Sequence, residues 1–189
     1  VVLDVVEQKV VKHRVLSAFV TETIGEDPTV KKLIDGFYTR VAESPELQMT
    51  GTPRFVGYDL EKQVASGHNG YMGAQVCAGC HVAEHADWKT TPHAHAFRRL
   101  LQQQKHVQPD CVPCHTTGFG FETGFRMGRD HESLTNVQCE VCHGPGGQHV
   151  RRPEKRNIRR TPTPDLCQQC HDADQTPDFA QHFPEMLAE

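Results

Sequence analysis

Apolar positions along this chain follow a clear period only near its start. Within Val1 to Val20, the β-branched runs Val5-Val6, Val10-Val11 and Val15 flank the polar stretch Glu7-Gln8-Lys9. That pattern predicts a small N-terminal β hairpin or a pair of short strands. Asp27-Pro28 then supplies a helix cap with proline at the first helical position, and Val30, Leu33, Ile34, Phe37 and Val41 follow at helical spacing. One amphipathic helix is expected here, ending near Ser44-Pro45 and packing its apolar stripe on the rest of the protein. From Glu46 to Gly73 the residues are Gly-, Pro- and polar-rich, with Gly51-Thr52-Pro53 and Gly67-His68-Asn69-Gly70 marking turns. Beyond Tyr71 the pattern breaks into short pieces, with one longer helix expected over Ala94 to Gln104. After Asp172, Pro177 and Pro184 flank a short segment carrying His182. The expected fold is mainly α with sparse regular secondary structure, divided into an N-terminal region of hairpin, helix and wrap (1–70) and a second region (71–189).

The second region carries a repeated unit. Cys77-Ala78-Gly79-Cys80-His81, Cys111-Val112-Pro113-Cys114-His115, Cys139-Glu140-Val141-Cys142-His143 and Cys167-Gln168-Gln169-Cys170-His171 share the pattern Cys-x-x-Cys-His and use all 8 cysteines. On a helical turn, residues i, i+3 and i+4 share a face. Two thiols and an imidazole so placed can meet one porphyrin, the thiols adding to its vinyl groups and the imidazole binding its iron. Structural zinc, with four Cys-x-x-Cys knuckles pairing into two four-thiolate sites, is the competing reading. It gives no reason for a histidine after every second cysteine, and the gaps between pairs exceed the zinc-ribbon spacing of roughly 15–20 residues. Disulfides leave the histidines equally unexplained. The motifs therefore predict four covalent c-type haems (heme c), with His81, His115, His143 and His171 as proximal ligands and residues 71–189 as a tetrahaem cytochrome c domain.

Composition fits that prediction. The chain has 189 residues, 37% hydrophobic and only 7% aromatic, little for a large core. Four apolar porphyrin plates would supply the missing packing surface, giving a haem-packed core in which Trp88, Tyr71, Phe119, Phe121 and Phe125 lie on porphyrin faces. The formal charge of −4 does not count haem propionates and argues against a nucleic-acid partner. The basic run Arg151, Arg152, Lys155, Arg156, Arg159, Arg160 reads as a solvated loop or as a neutraliser of propionates. No apolar run approaches the roughly 18 residues that span a bilayer, so no transmembrane segment is expected. Covalent haem attachment takes place outside the cytoplasm, which predicts a periplasmic or extracellular (secreted) protein. The start at Val1 implies that a targeting segment or a larger upstream region has been removed.

The stretches Cys77 to His81 through Trp88-Lys89-Thr90-Thr91-Pro92-His93-Ala94, Asp110 to Gly120, and Val137 to Gly146 resemble the tetrahaem cytochrome c-554 family over residues 71 to about 172. Members of that family carry electrons away from hydroxylamine oxidoreductase. The resemblance implies haems stacked in close pairs, His93 as distal ligand of the third haem and His149 as that of the first. Its second haem has no protein sixth ligand, and its fourth takes one from upstream of its own motif. Here no histidine lies between His149 and Cys167. Separately, the first 45 residues or so, with Glu26-Asp27-Pro28-Thr29-Val30-Lys31-Lys32-Leu33-Ile34, resemble the end of a nucleotidase-type metallophosphoesterase domain. None of that family's metal-binding motifs is present, so no phosphatase activity is implied, but the likeness implies the processed tail of a longer precursor.

The distal candidates are His93, His149, His131, His106, His68, His182 and His13. His149 stands six residues from His143, a span of at most about 20 Å and too short a route around one ring, so it should serve another haem. His85 lies one helical turn from His81 on the same face and should be no ligand of that haem. His95 has no counterpart in the resemblance and is either another ligand or exposed. With 4 methionines and a surplus of histidine, bis-histidine ligation at low potential is expected.

Two functions follow. The first is electron transfer without catalysis, through mostly bis-histidine haems, to redox protein partners or an extracellular acceptor. The second is a small redox enzyme with one open haem acting on a nitrogen oxide or hydroxylamine. Because the fourth haem lacks its upstream ligand while His13, His68 and His182 lie in peripheral segments, a homopolymer sharing a haem ligand between copies, in the form of an extracellular cytochrome filament, is also expected.

Overall fold

The structure is a computed structural model that describes residues 2–6, 9–14, 25–44, 69–127 and 132–186. The contacts divide the chain into two units, residues 1–36 and 37–189. In the first, strands β1 (Val2–Val6) and β2 (Lys9–Arg14) pair antiparallel, with an irregularity between Asp4 and Val5. Helix α1 (Pro28–Glu43) opens where Asp27 caps it. One carboxylate oxygen, Oδ1, accepts the amides of Thr29 at 2.7 Å and Val30 at 3.2 Å, and these bonds hold the Asp27 carboxyl below its ordinary pKa. Val30, Leu33, Ile34 and Phe37 are exposed, and Val41, in the last turn, is the stripe residue that is buried.

The rest of the described chain is mainly helical, in short pieces: α2 (Ala74–Cys77), α3 (Val82–Thr90), α4 (Ala96–Gln102), α5 (Val112–His115), α6 (Cys139–His143), α7 (Gly147–Arg151), α8 (Pro164–Cys167) and α9 (Phe179–Met186). The helix expected over 94–104 begins as a 3-10 turn, Pro92–His95, and becomes α-helical at Ala96. Helix α9 runs through Pro184, which the sequence pattern had placed at a boundary. Outside the N-terminal pair, the described strand pairing is one isolated bridge, Thr116 to Thr135.

Tyr71, Leu100, Val112, Phe119, Phe121, Phe125, Met127 and Leu134 form a buried cluster with Val41. The aromatic residues expected on porphyrin faces therefore pack partly on one another. Tyr71 and Phe121 have ring centroids 5.6 Å apart, and Phe97 and Phe125 5.4 Å. The loop under this cluster needs two glycines. A Cβ on Gly118, at φ 72°, would lie 2.7 Å from the Tyr71 ring, and one on Gly124 would lie 1.7 Å from the Gly118 carbonyl oxygen.

Residues Val137 to Glu140 are the crossing point of the fold. The Val137 amide donates to the His93 carbonyl, and its own carbonyl accepts the Trp88 indole N–H at 2.9 Å. Gln138 takes the Ala74 amide on its side-chain oxygen and gives its amide hydrogens to the Ser133 and Thr135 carbonyls, both at 2.7 Å. Glu140, 2% exposed, accepts from three backbone amides: Met72 at 2.9 Å to each oxygen, Gly73 at 2.8 Å and Gly146 at 2.7 Å. Burial outweighs these bonds and raises the Glu140 carboxyl above its usual range.

Candidate haem-binding sites

Each Cys-x-x-Cys-His unit is wound as a single helical turn. In the first, the amides of Cys80 and His81 both reach the Cys77 carbonyl, at 3.1 and 2.9 Å, and in the fourth Cys170 and His171 reach that of Cys167 at the same distances. The second and third units lie on α5 and α6. The turn brings two thiols and an imidazole to one side, the arrangement their spacing predicts. No disulfide joins any of the eight cysteines, and among the described residues no three or more His, Cys, Asp or Glu side chains converge as a metal cluster.

The imidazoles are oriented by one recurring device. Nδ1 of His115 faces the Ala96 carbonyl at 2.7 Å, that of His143 the Arg159 carbonyl at 2.7 Å, and that of His149 the Glu154 carbonyl at 3.1 Å. Nδ1 of His171 faces the Thr176 hydroxyl at 3.2 Å. An imidazole that gives its Nδ1 proton to a carbonyl keeps Nε2 free as a lone-pair donor, the usual support of a metal-bound histidine. These carbonyl partners left no signal in the sequence, because any residue type can supply one.

Two imidazole pairs come together. The rings of His81 and His149 have centroids 6.3 Å apart, and those of His93 and His171 5.9 Å. An imidazole bound through nitrogen at about 2 Å has its centre about 3 Å from the metal, so two ligands on opposite sides stand about 6 Å apart. Both pairs have the separation that a shared iron needs, and the residues fit the cofactor. The first is the pair that the resemblance implies. The second is not: the resemblance paired His93 with His143, whereas here His93 lies against His171. The 3-10 turn Pro92–His95 carries His93 to that ring, and Phe179 stacks on its other side at 4.8 Å. Burial lowers the pKa of both His93 and His171, which keeps them neutral and able to donate a lone pair.

The attachment units adjoin one another. Cys77 and Cys139 lie close enough to interact, which raises the Cys77 thiol and draws Cys139 down to about 7. Cys142 is within electrostatic reach of Cys139 and Cys167, and burial pushes it up to about 11. The first unit thus touches the third, and the third neighbours the fourth. The second unit sits on the buried cluster, with Val112 fully enclosed.

The remaining histidines are scattered. His85 rests on Trp88, with centroids 5.5 Å apart. His95 lines an open cavity of about 310 Å³ with Arg98 and Arg99. His106 is half-buried, and its Nδ1 is enclosed without a hydrogen-bond partner. His182 is exposed, with Nδ1 3.0 Å from the Asp178 carbonyl. The backbone of His13 lies in β2, while His68 and His131 are outside the described residues. Among the described residues no second imidazole ring faces His115 or His143.

Residues 76–144 match the family described as cytochrome c554 and c-prime, and residues 131–176 match the doubled CXXCH motif. Among curated proteins, cytochrome c-554 of Nitrosomonas europaea is 32% identical over 123 aligned residues, covering 54% of this chain and 52% of that protein. The haem-motif region is similar to the cytochrome c-554 family over residues 76–144. It is a multihaem c-type cytochrome region, and that class of protein serves electron transfer. The chain spans about half the length of the curated cytochrome c-554 that it matches. No solved structure matches it. Among the described residues no helix is long and apolar enough to cross a membrane.

Proposed function

We propose that the chain is an electron conduit of the periplasm or the extracellular space, with four covalent haems held by residues 71–189. The observation that carries this reading is the pair of imidazole couples, His81 with His149 and His93 with His171, at 6.3 and 5.9 Å on adjoining attachment units. Bound haem supplies one-electron iron chemistry. The protein's own part is to fix geometry. Eight thiols anchor the groups, the carbonyl-bonded Nδ1 atoms hold Nε2 toward the metal, and two imidazoles per iron leave no exchangeable position at the first and fourth sites. Electrons come from and go to redox protein partners, or end on an extracellular acceptor.

The second and third sites can be completed by a histidine of the same chain, such as His106 or His131, or in two other ways. One is an imidazole from a neighbouring copy. His182 is exposed with its Nδ1 already bonded to a carbonyl, so its Nε2 is available, and a ligand passed in one direction from copy to copy would build a filament. The other is an open iron, which would make the chain a small redox enzyme on a nitrogen oxide or hydroxylamine. We favour electron transfer. Mass spectrometry should give four covalent haems per chain, and the spectrum should be low-spin for at least the first and fourth sites. A carbon monoxide complex formed by the native protein would favour the enzyme. Light scattering at high dilution separates the rest, since a monodisperse species near the 21.2 kDa chain mass plus haem, with every iron low-spin, would rule out the shared ligand.

A further inference from the structure

We propose that residues 151–160 form the docking surface for an acidic redox protein, which exchanges electrons through the first and third sites. The proposal rests on the electron-transfer reading above. In a chain of formal charge −4, these ten residues hold six cations and one carboxylate. Arg151, Arg152, Lys155, Arg156 and Arg160 are exposed. Glu154 is taken by Arg156, while among the described residues the side chains of Arg151, Arg152, Lys155 and Arg160 meet no acidic partner.

Position makes this charge more than a solvated loop. The same segment supplies the carbonyls that orient two candidate ligands: Glu154 to His149 of the first site, and Arg159 to His143 of the third. The Arg159 amide also returns to the His143 carbonyl at 3.0 Å. The segment that carries these cations is thus the one that bonds two imidazoles. The cations are spread along the end of α7, a 3-10 turn (Lys155–Asn157) and the chain on either side of the extended Ile158. That spread suits an acidic macromolecular surface better than a small anion. Such a patch raises the encounter rate of an oppositely charged partner, and salt weakens it.

The test uses the holoprotein and the variant Arg152→Gln/Lys155→Gln/Arg160→Gln, whose altered side chains are exposed and whose backbone contacts are kept. The reduced protein is mixed in stopped flow with ferricyanide, an anion, or with hexaammineruthenium(III), a cation. One electron leaves the protein and one oxidant is reduced, with no atom or proton transferred. The variant should react about tenfold more slowly with ferricyanide at low ionic strength and no more slowly with the cation, the difference closing at high salt. Polyglutamate should inhibit the native protein and not the variant. Equal change with both oxidants would mean that the cations merely tune potential through propionates, and would overturn the proposal. So would stronger inhibition by a DNA oligonucleotide of matched charge. A protein that reacts with neither oxidant would instead refute the electron-transfer reading itself.

Discussion

Replacing Glu140 with alanine removes the one acceptor shared by Met72, Gly73 and Gly146. Each buried amide left without a partner costs about 1–3 kcal/mol, so three cost about 3–9 kcal/mol. Two terms offset this: water entering the vacated space, and relief of the carboxylate's own desolvation, which is strong enough to raise its pKa. A net loss of about 3 kcal/mol remains, or about 6–12 °C in melting temperature for a chain of this size. Trp88 donates to Val137 two residues from the first attachment cysteine of the same unit, so its fluorescence on heating reports this junction directly. The pH dependence has a fixed sign. Because the folded pKa of Glu140 is raised, its stabilising contribution is full below the unfolded carboxylate value of about 4.3 and is lost as pH rises through the folded value. The gap between native and variant should therefore be widest at acidic pH and narrow on going to neutral. A melting point within about 2 °C of native at both ends of that range would refute the reasoning, because no pin carrying three amides could be removed so cheaply.

Ligation can be tested by combination. His93→Ala should turn one low-spin haem high-spin, and the change should vanish in a protein that already lacks Cys167 and Cys170; persistence there would return His93 to the third site. His149→Ala should produce a second high-spin signal, silent in turn when Cys77 and Cys80 are absent. His85→Ala should leave the spectrum unchanged, its ring lying on Trp88, and should cost under about 1 kcal/mol by thermal melting. Gly124→Ala should cost more than about 3 kcal/mol or abolish folding, seen as lost yield of soluble holoprotein, because its Cβ would stand 1.7 Å from a carbonyl oxygen.

The turns of the four Cys-x-x-Cys-His motifs were legible because they are local: residues within one turn need nothing from elsewhere in the chain. The cap of α1 was legible for the same reason, since Asp27 acts on amides two and three residues away. What escaped the sequence is long-range. A glutamate inside a Cys-x-x-Cys-His unit reads as a surface charge, and only the fold shows Glu140 enclosed by amides from 67 and 68 residues upstream. The ring that stands 5.9 Å from His93, that of His171, lies 78 residues on and could not be read from spacing. The stripe of α1 was correctly periodic, but period alone does not say what covers a face, and most of it stays outside.

The first site also sets an order on how the molecule comes into being. Its two imidazoles, His81 and His149, are 68 residues apart in the chain, the same separation as Met72 from the carboxylate that pins it. A chain emerging from a membrane pore amino end first would expose His81 long before its partner exists. The first site opens earliest and closes among the last, and the entropy of that long loop must be lost before any ring contact repays it. The second unit lies wholly inside the loop, on a buried cluster that also takes in Val41 and Tyr71 from before it. A truncation just before His149 would leave His81 without the imidazole that stands 6.3 Å from it.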